Sequence, residues 1–321
     1  METNGVIARS QLHPFSFTTL DVFTSTLYEG NPLALVCIPS SLEKRISQEQ
    51  KQLIAREFNL SETIFLHEQQ DHSIPEWHVD IFTTDAELPF AGHPTIGASA
   101  YVLSLSGDKS WQAGVLVTKA GRINISLDDK NGGVKADIPH NVHIHKHTLS
   151  DLSPPVFGLS DEWDLRDAEL KAPIVSIVKG MTFLLVELES LEMLGRVKFA
   201  GKAIDFHGVL DTEDGWGESF VAKYYFVVLK EGEGEGVVKV RTRMLEVAME
   251  DPATGSAASA LATYLALRER RSRKFEVTQG VEMGRMSVIG VDVALDRAGK
   301  RVENVRLSGC AVVVMEGNLR I

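Results

Sequence analysis

His93 and Asp251 stand in what reads as two copies of one short pattern. The run from His93 to Ala100 (HPTIGASA) aligns without gaps on the run from Asp251 to Ala258 (DPATGSAA), with Pro, Gly and Ala in register at an offset of 251 − 93 = 158 residues. Upstream, HVDIFTTDAELPFAG can be laid against VVKVRTRMLEVAME, so each copy reads as strand, acidic loop, proline and helix start. A helix start has unpaired N–H groups and the positive end of the peptide dipole, and it attracts carboxylates. Two such starts facing across a junction would make a cleft, with Gly92, Gly97 and Gly255 allowing close backbone approach. An imidazole and a carboxyl opposed over such a cradle suit moving a proton on a small carboxylate-bearing molecule. Each residue also has a plainer reading, Asp251 as a helix N-cap and His93 as a hydrogen-bonded structural histidine.

Glu62 is ambiguous in the same way. Asn59-Leu60-Ser61-Glu62 has capping-box spacing, whereas the β-branched and aromatic run Thr63-Ile64-Phe65 argues for a strand after it. A carboxyl at the head of a strand lining a junction would have its pKa raised by desolvation, which suits proton transfer near neutral pH.

Other polar groups are weaker candidates. His143, His145 and His147 alternate, so a strand would put them on one face at metal-ligand reach, with His140 nearby; a surface connection without cysteine is the better reading, and no metal is expected. GEGEG (232–236) lacks phosphate-loop spacing and reads as an acidic hairpin loop, and no P-loop occurs, so no cofactor is expected either. RERRSRK (268–274) suits the negative end of a helix dipole. Arg241 and Arg243, alternating on a strand that leads to the second turn, are candidates for substrate contact. Cys37 and Cys310 lie in apolar, strand-like runs where a buried thiol is expected.

The elements that must position these groups follow from punctuation and periodicity. Ser47 and Gln50 form a capping box for a helix from about 47 to 58, after strands FSFTTLDVF and Ala34 to Ile38. TIFL and HVDIF read as strands, TIGASAYVL as a helix after Pro94, and ATGSAASALATYLALRER as a long helix after Pro252. The stretch Asp128 to Pro173 is irregular. A chain of 321 residues suggests about two domains, and two separated halves, each with several strands and one small-residue helix, suggest a duplicated α+β architecture. A net charge of −11 opposes nucleic acid and anionic membranes. No window approaches a membrane span and no signal h-region is evident, so a cytoplasmic protein is the expectation.

The strings GNPLAL (30–35), NLSETIFL (59–66), ELPFAGHPTIGA (87–98), EDPATGSAA (250–258), QGVEMGR (279–285) and the late SGCAVVVMEG together resemble the phenazine-biosynthesis PhzF-like family, in family order from about residue 17 onward. The resemblance implies two pseudo-symmetric halves, 12–130 and 173–321, joined through 131–172, each a curled mixed sheet around a central helix as in diaminopimelate epimerase, with the last strand able to return to the first half. It implies a cofactor-independent isomerase or epimerase, and a homodimer. Glu62 would shuttle the proton, and His93 and Asp251 would bind and polarise the substrate. Ser61, Gly92, Gly255 and Ser256 would hold it. Neither cysteine lies in a repeated turn, so the two-thiol mechanism of the related racemases does not carry over.

Overall fold

The computed structural model describes residues 14–69, 71, 73–107, 111–128, 132–229 and 236–320. The first half runs β1 (Pro14–Val22), β2 (Asn31–Ile38), α1 (Gln48–Phe58), β3 (Thr63–His67), β4 (Glu76–Phe82), β5 (Glu87–Leu88), α2 (Gly92–Ala100), β6 (Ala113–Thr118), β7 (Gly121–Asp128) and β8 (Gly133–Asp137). Next come β9 (His143–Ile144) and α3 (Trp163–Lys171). The second half runs β10 (Ile174–Val178), β11 (Met181–Glu187), α4 (Leu191–Arg196), β12 (Phe220–Val228), β13 (Val237–Leu245) and β14 (Glu250–Asp251). It ends with α5 (Gly255–Glu269), β15 (Arg273–Gln279), β16 (Ser287–Leu295), β17 (Val302–Gly309) and β18 (Ala311–Arg320). No described helix is long and apolar enough to cross a membrane.

The halves share one pairing order. Strands β1, β2, β3, β4, β6, β7 and β8 pair in succession as antiparallel, parallel, antiparallel, parallel, antiparallel and antiparallel. Strands β10, β11, β12, β13, β15, β16 and β17 repeat that succession. The fold is therefore α+β, with two pseudo-symmetric mixed sheets. They are joined edge to edge where β8 runs antiparallel to β17, and each half sends a strand to the other: β9 adds to β10, and β18 adds to β1.

Each sheet curls around one helix made of small residues. All nine residues of α2 are buried, as are eleven of the fifteen in α5. Gly97 shows why they must be small: a Cβ there would lie 2.4 Å from Leu33 Cδ2. Three hydroxyls in these helices bond the carbonyl one turn back, Thr95 to Ala91, Ser99 to Thr95 and Ser259 to Gly255, and so are satisfied without water.

The strand pairings correct the internal repeat. Ile81 pairs with Leu88 and Phe82 with Glu87, just as Met244 pairs with Asp251 and Leu245 with Glu250. The equivalence is thus 251 − 88 = 163 residues, five more than the sequence alignment suggests. Gly92 and Gly255 are the matched first residues of α2 and α5, and His93 matches Ser256 rather than Asp251. Helix α2 starts before Pro94, not after it, because N–H groups of a first turn have no intrahelical partner and a proline there forfeits nothing.

Two further readings change. The irregular stretch contains α3, whose fully buried residues are only Leu165 and Glu169, too few apolar positions to show a helical period. The late run SGCAVVVME is broken at Cys310 into β17 and β18. GEGEG lies outside the described residues except for Gly236.

The two central helices touch at their first residues. A Cβ on Gly92 would lie 3.0 Å from Gly255 Cα and 3.2 Å from Ser256 N, both backbone atoms that cannot swing aside. Gly92→Ala should therefore lower stability in urea titrations by about 1–3 kcal/mol. Gly195→Ala in α4, where a Cβ meets nothing within 4 Å, should be neutral or slightly stabilising.

Candidate active site

Helix α1 ends at Asn59, a left-handed C-cap, and the chain turns directly into β3. Glu62 sits in that turn, one residue before the strand, with its side chain only 18% exposed. It is not a helix cap, since no helix follows it. Its Oε2 lies 3.5 Å from His93 Nδ1, and the Ser61 hydroxyl bonds its carboxyl. His93 is buried in the first turn of α2, and no described group bonds its Nε2. A buried ring nitrogen without a partner is costly in a finished core and expected where a ligand supplies the partner.

Asp251 enters from the other half on β14. Its Oδ1 accepts a bond of 2.8 Å from Asn31 Nδ2, and Oδ2 accepts one from the Thr254 hydroxyl. Asn31 also donates to the Ala253 carbonyl at 2.9 Å. Fully buried Gln279 donates through Nε2 to the Asp251 carbonyl (2.8 Å) and to Thr254 Oγ1 (3.0 Å), and its Oε1 accepts from the Tyr224 hydroxyl at 2.9 Å. Thr254 thereby takes a bond from Gln279 and passes one to Asp251. Asp251 is not the N-cap of α5; Thr254 is, and its side chain makes no cap hydrogen bond.

Burial dominates the electrostatics. It raises Glu62 to about 6 against the pull of the Ser61 hydrogen bond. Asp251 is likewise raised to about 6, by burial first and then by the charge of Glu62, against its hydrogen bond from Thr254. His93 is lowered to about 4 by burial, only partly offset by the Asp251 charge. At neutral pH the imidazole is therefore uncharged, and the two carboxyls titrate close to the working range.

The remaining candidates gather at the same place. Gly92 and Gly255 are in backbone contact, with Ser256 beside them. Neither central helix has a side-chain cap at its start, whereas α1 and α4 are capped by Ser47 and Ser190. Their first-turn N–H groups thus form the kind of concentrated positive edge that holds a carboxylate.

Other candidates lie elsewhere. Arg243 forks onto Glu250 and also bonds the Leu194 and Val197 carbonyls, so it is committed to structure rather than substrate, whereas Arg241 pairs with Glu282 at 2.6 Å and its buried Nε has no partner among the described residues. Arg268 pairs with Glu187 and Arg273 with Glu269 around the end of α5. His143, His145 and Asp211 cluster, but His145 is occupied at both nitrogens, accepting from Asp211 N and bonding Ser176 Oγ, while His143 pairs with Asp211 and stacks on Trp216. His147 leaves the row to face Asp151, and His140 bonds the Ile138 carbonyl. Cys37 lies by Tyr101, away from the helix starts. The residues sequence reasoning missed are Asn31, Thr254 and Gln279; for the two amides the available signal was a position at a strand terminus, Asn31 opening β2 and Gln279 closing β15.

A family model described as phenazine biosynthesis-like protein matches residues 20–317. The chain is 32% identical over 321 aligned residues to the trans-2,3-dihydro-3-hydroxyanthranilate isomerase of Pseudomonas aeruginosa, which covers 94% of this chain and 98% of that one. It resembles a predicted epimerase of Pseudomonas aeruginosa at 26% identity and a TM-score of 0.67, covering 95% and 99% of the two chains. A PhzF-family phenazine biosynthesis protein of Bacillus anthracis shares the fold at a TM-score of 0.69 and 22% identity, covering 96% and 100%. Matched along nearly its whole length, the chain belongs to the phenazine biosynthesis-like PhzC-PhzF family and is an isomerase of that family.

Proposed function

We propose that the protein moves a proton at carbon in a small carboxylate-bearing metabolite, with Glu62 as the group that takes it and returns it. The observation that carries this reading is a buried acid and a buried imidazole 3.5 Å apart beside two uncapped helix starts. The substrate carboxylate rests on the first-turn N–H groups of α2 and α5, close to Gly92, Gly255 and Ser256. Ionised Glu62 then removes a proton from carbon: the C–H bond breaks, an O–H bond forms, and negative charge moves onto the substrate. The helix starts and protonated Asp251 stabilise that charge, while the free Nε2 of neutral His93 bonds a polar substrate group. Return of a proton from Glu62 to another carbon completes an isomerisation, and exchange of that proton with water while Glu62 holds it labels the product in deuterium oxide. The relative named for trans-2,3-dihydro-3-hydroxyanthranilate makes an unsaturated ring carboxylate the first compound to try.

In deuterium oxide, Glu62→Gln should reduce solvent exchange into a turned-over carboxylate by about 100-fold or more, while the unfolding midpoint is not lowered. Exchange at the wild-type rate in the variant would reject Glu62 as the shuttle, whereas no exchange in the wild type itself would leave a scaffold that only binds.

A second expectation concerns stability. The folded state holds the Glu62 proton more tightly than the unfolded state, so this group makes the protein less stable as pH rises from its ordinary value of 4.5 through about 6. Glu62→Gln should therefore stabilise the fold at pH 8, by up to about 2 kcal/mol, and by almost nothing at pH 4. Chemical denaturation of both proteins at the two pH values measures it; a destabilised variant at pH 8 would show the carboxylate to be structural.

A further inference from the structure

The amide that holds Asp251 belongs to the opposite half, and the turn that carries it is gripped from the half that carries Asp251. The chain between β1 and β2 ends in Gly30, at φ +70, where a Cβ would lie 2.4 Å from Val22 O, and Asn31 follows at once. Arg285, in the loop between β15 and β16, clamps this turn. Its Nε donates to the Gly30 carbonyl at 2.8 Å, and its Nη2 donates to the Glu29 carbonyl at 2.9 Å and to Asp21 Oδ1 at 2.6 Å. Buried Asp21 uses its other oxygen to accept from Tyr28 N at 2.6 Å. Gly30 N completes the join by donating to the Met286 carbonyl at 3.1 Å.

The same loop reaches Asp251 from its other end. It starts at Gln279, which holds the Asp251 carbonyl, and is closed by Arg285 N donating to the Gly280 carbonyl at 2.9 Å. Gly280 has φ +75, and a Cβ there would lie 2.6 Å from the Pro252 carbonyl. One seven-residue segment thus fixes the backbone of Asp251 directly and its carboxyl by way of the other half.

We propose that Arg285 is a positioning residue of the acid–base centre, holding the Asn31 amide on Asp251 Oδ1 by fixing the turn before β2. A guanidinium suits this task because its planar fork reaches two carbonyls and a carboxylate together, which an ammonium cannot do. An amide N–H bonded to a carboxylate favours its ionised form, so a loosened turn raises the affinity of Asp251 for a proton. The titratable groups facing Asp251 are Glu62, His93 and Tyr224, and the Arg285 side chain bonds none of them directly. The link to catalysis rests on the proposed function; the link to Asp251 does not.

The test is ¹³C NMR titration of the Asp251 carboxyl in aspartate-labelled protein without substrate, assigned through Asp251→Asn. Arg285→Lys, which keeps the charge opposite Asp21, should raise the midpoint so that the proton is held about tenfold more tightly, and Asn31→Ser should do the same. The double variant should go little further, because both changes break one chain of contacts. A wild-type midpoint in Arg285→Lys alongside a raised one in Asn31→Ser, or effects that sum, would overturn the proposal. Should Arg285→Lys not fold, Asp21→Asn leaves the carbonyl bonds of the fork in place and should raise the midpoint by a smaller amount; no change there would also overturn it. Loss of exchange in Glu62→Gln is a separate result, so the two readings can fail independently.

Discussion

The contact between Gly92 and Gly255 is the constraint on which the rest of the molecule depends. Two sheets of the same pairing order each wrap a helix, and only where both helices begin with glycine can those starts meet backbone to backbone. Side chains at either position would part them, and with them the uncapped N–H groups, His93 on one side and Asp251 on the other. The exchange of β9 and β18 between halves, and the β8–β17 seam, hold that contact from outside.

Closing the junction also sets the chemistry. Withdrawal from water raises two carboxyls and lowers an imidazole, bringing an acid and a base into the same pH range. Hydrogen bonds then distinguish the two acids. Asp251 is anchored by Asn31 and Thr254, whereas among the described residues Glu62 has only the Ser61 hydroxyl and a histidine at 3.5 Å. The better-anchored acid suits a fixed role, and the freer one suits carrying a proton between atoms.

Much of this was legible in the chain because local chemistry wrote it there. Ser47 and Gln50 form both bonds of the anticipated capping box, and Thr63-Ile64-Phe65 is a strand, which removed the helix-cap reading of Glu62. The duplication was visible but five residues out of register, since proline, glycine and alanine recur often enough in small-residue helices to align in more than one way. Long-range pairing was not legible. Arg243 looked free because Glu250 and the Leu194 carbonyl reach it only through folding, and α3 was hidden because its buried face carries Glu169, bonded to Lys223. Asn31 and Gln279 were missed for the same reason: their partners lie 220 and 28 residues away.

The central claim is that burial reverses the ordinary order of protonation, so that the carboxyls gain protons before the imidazole does. Neutron diffraction from deuterated crystals at pH 5 tests it most directly. The account predicts one deuteron on the His93 ring and deuterons on the Glu62 and Asp251 carboxyls. A doubly deuterated His93 facing two bare carboxylates would contradict it.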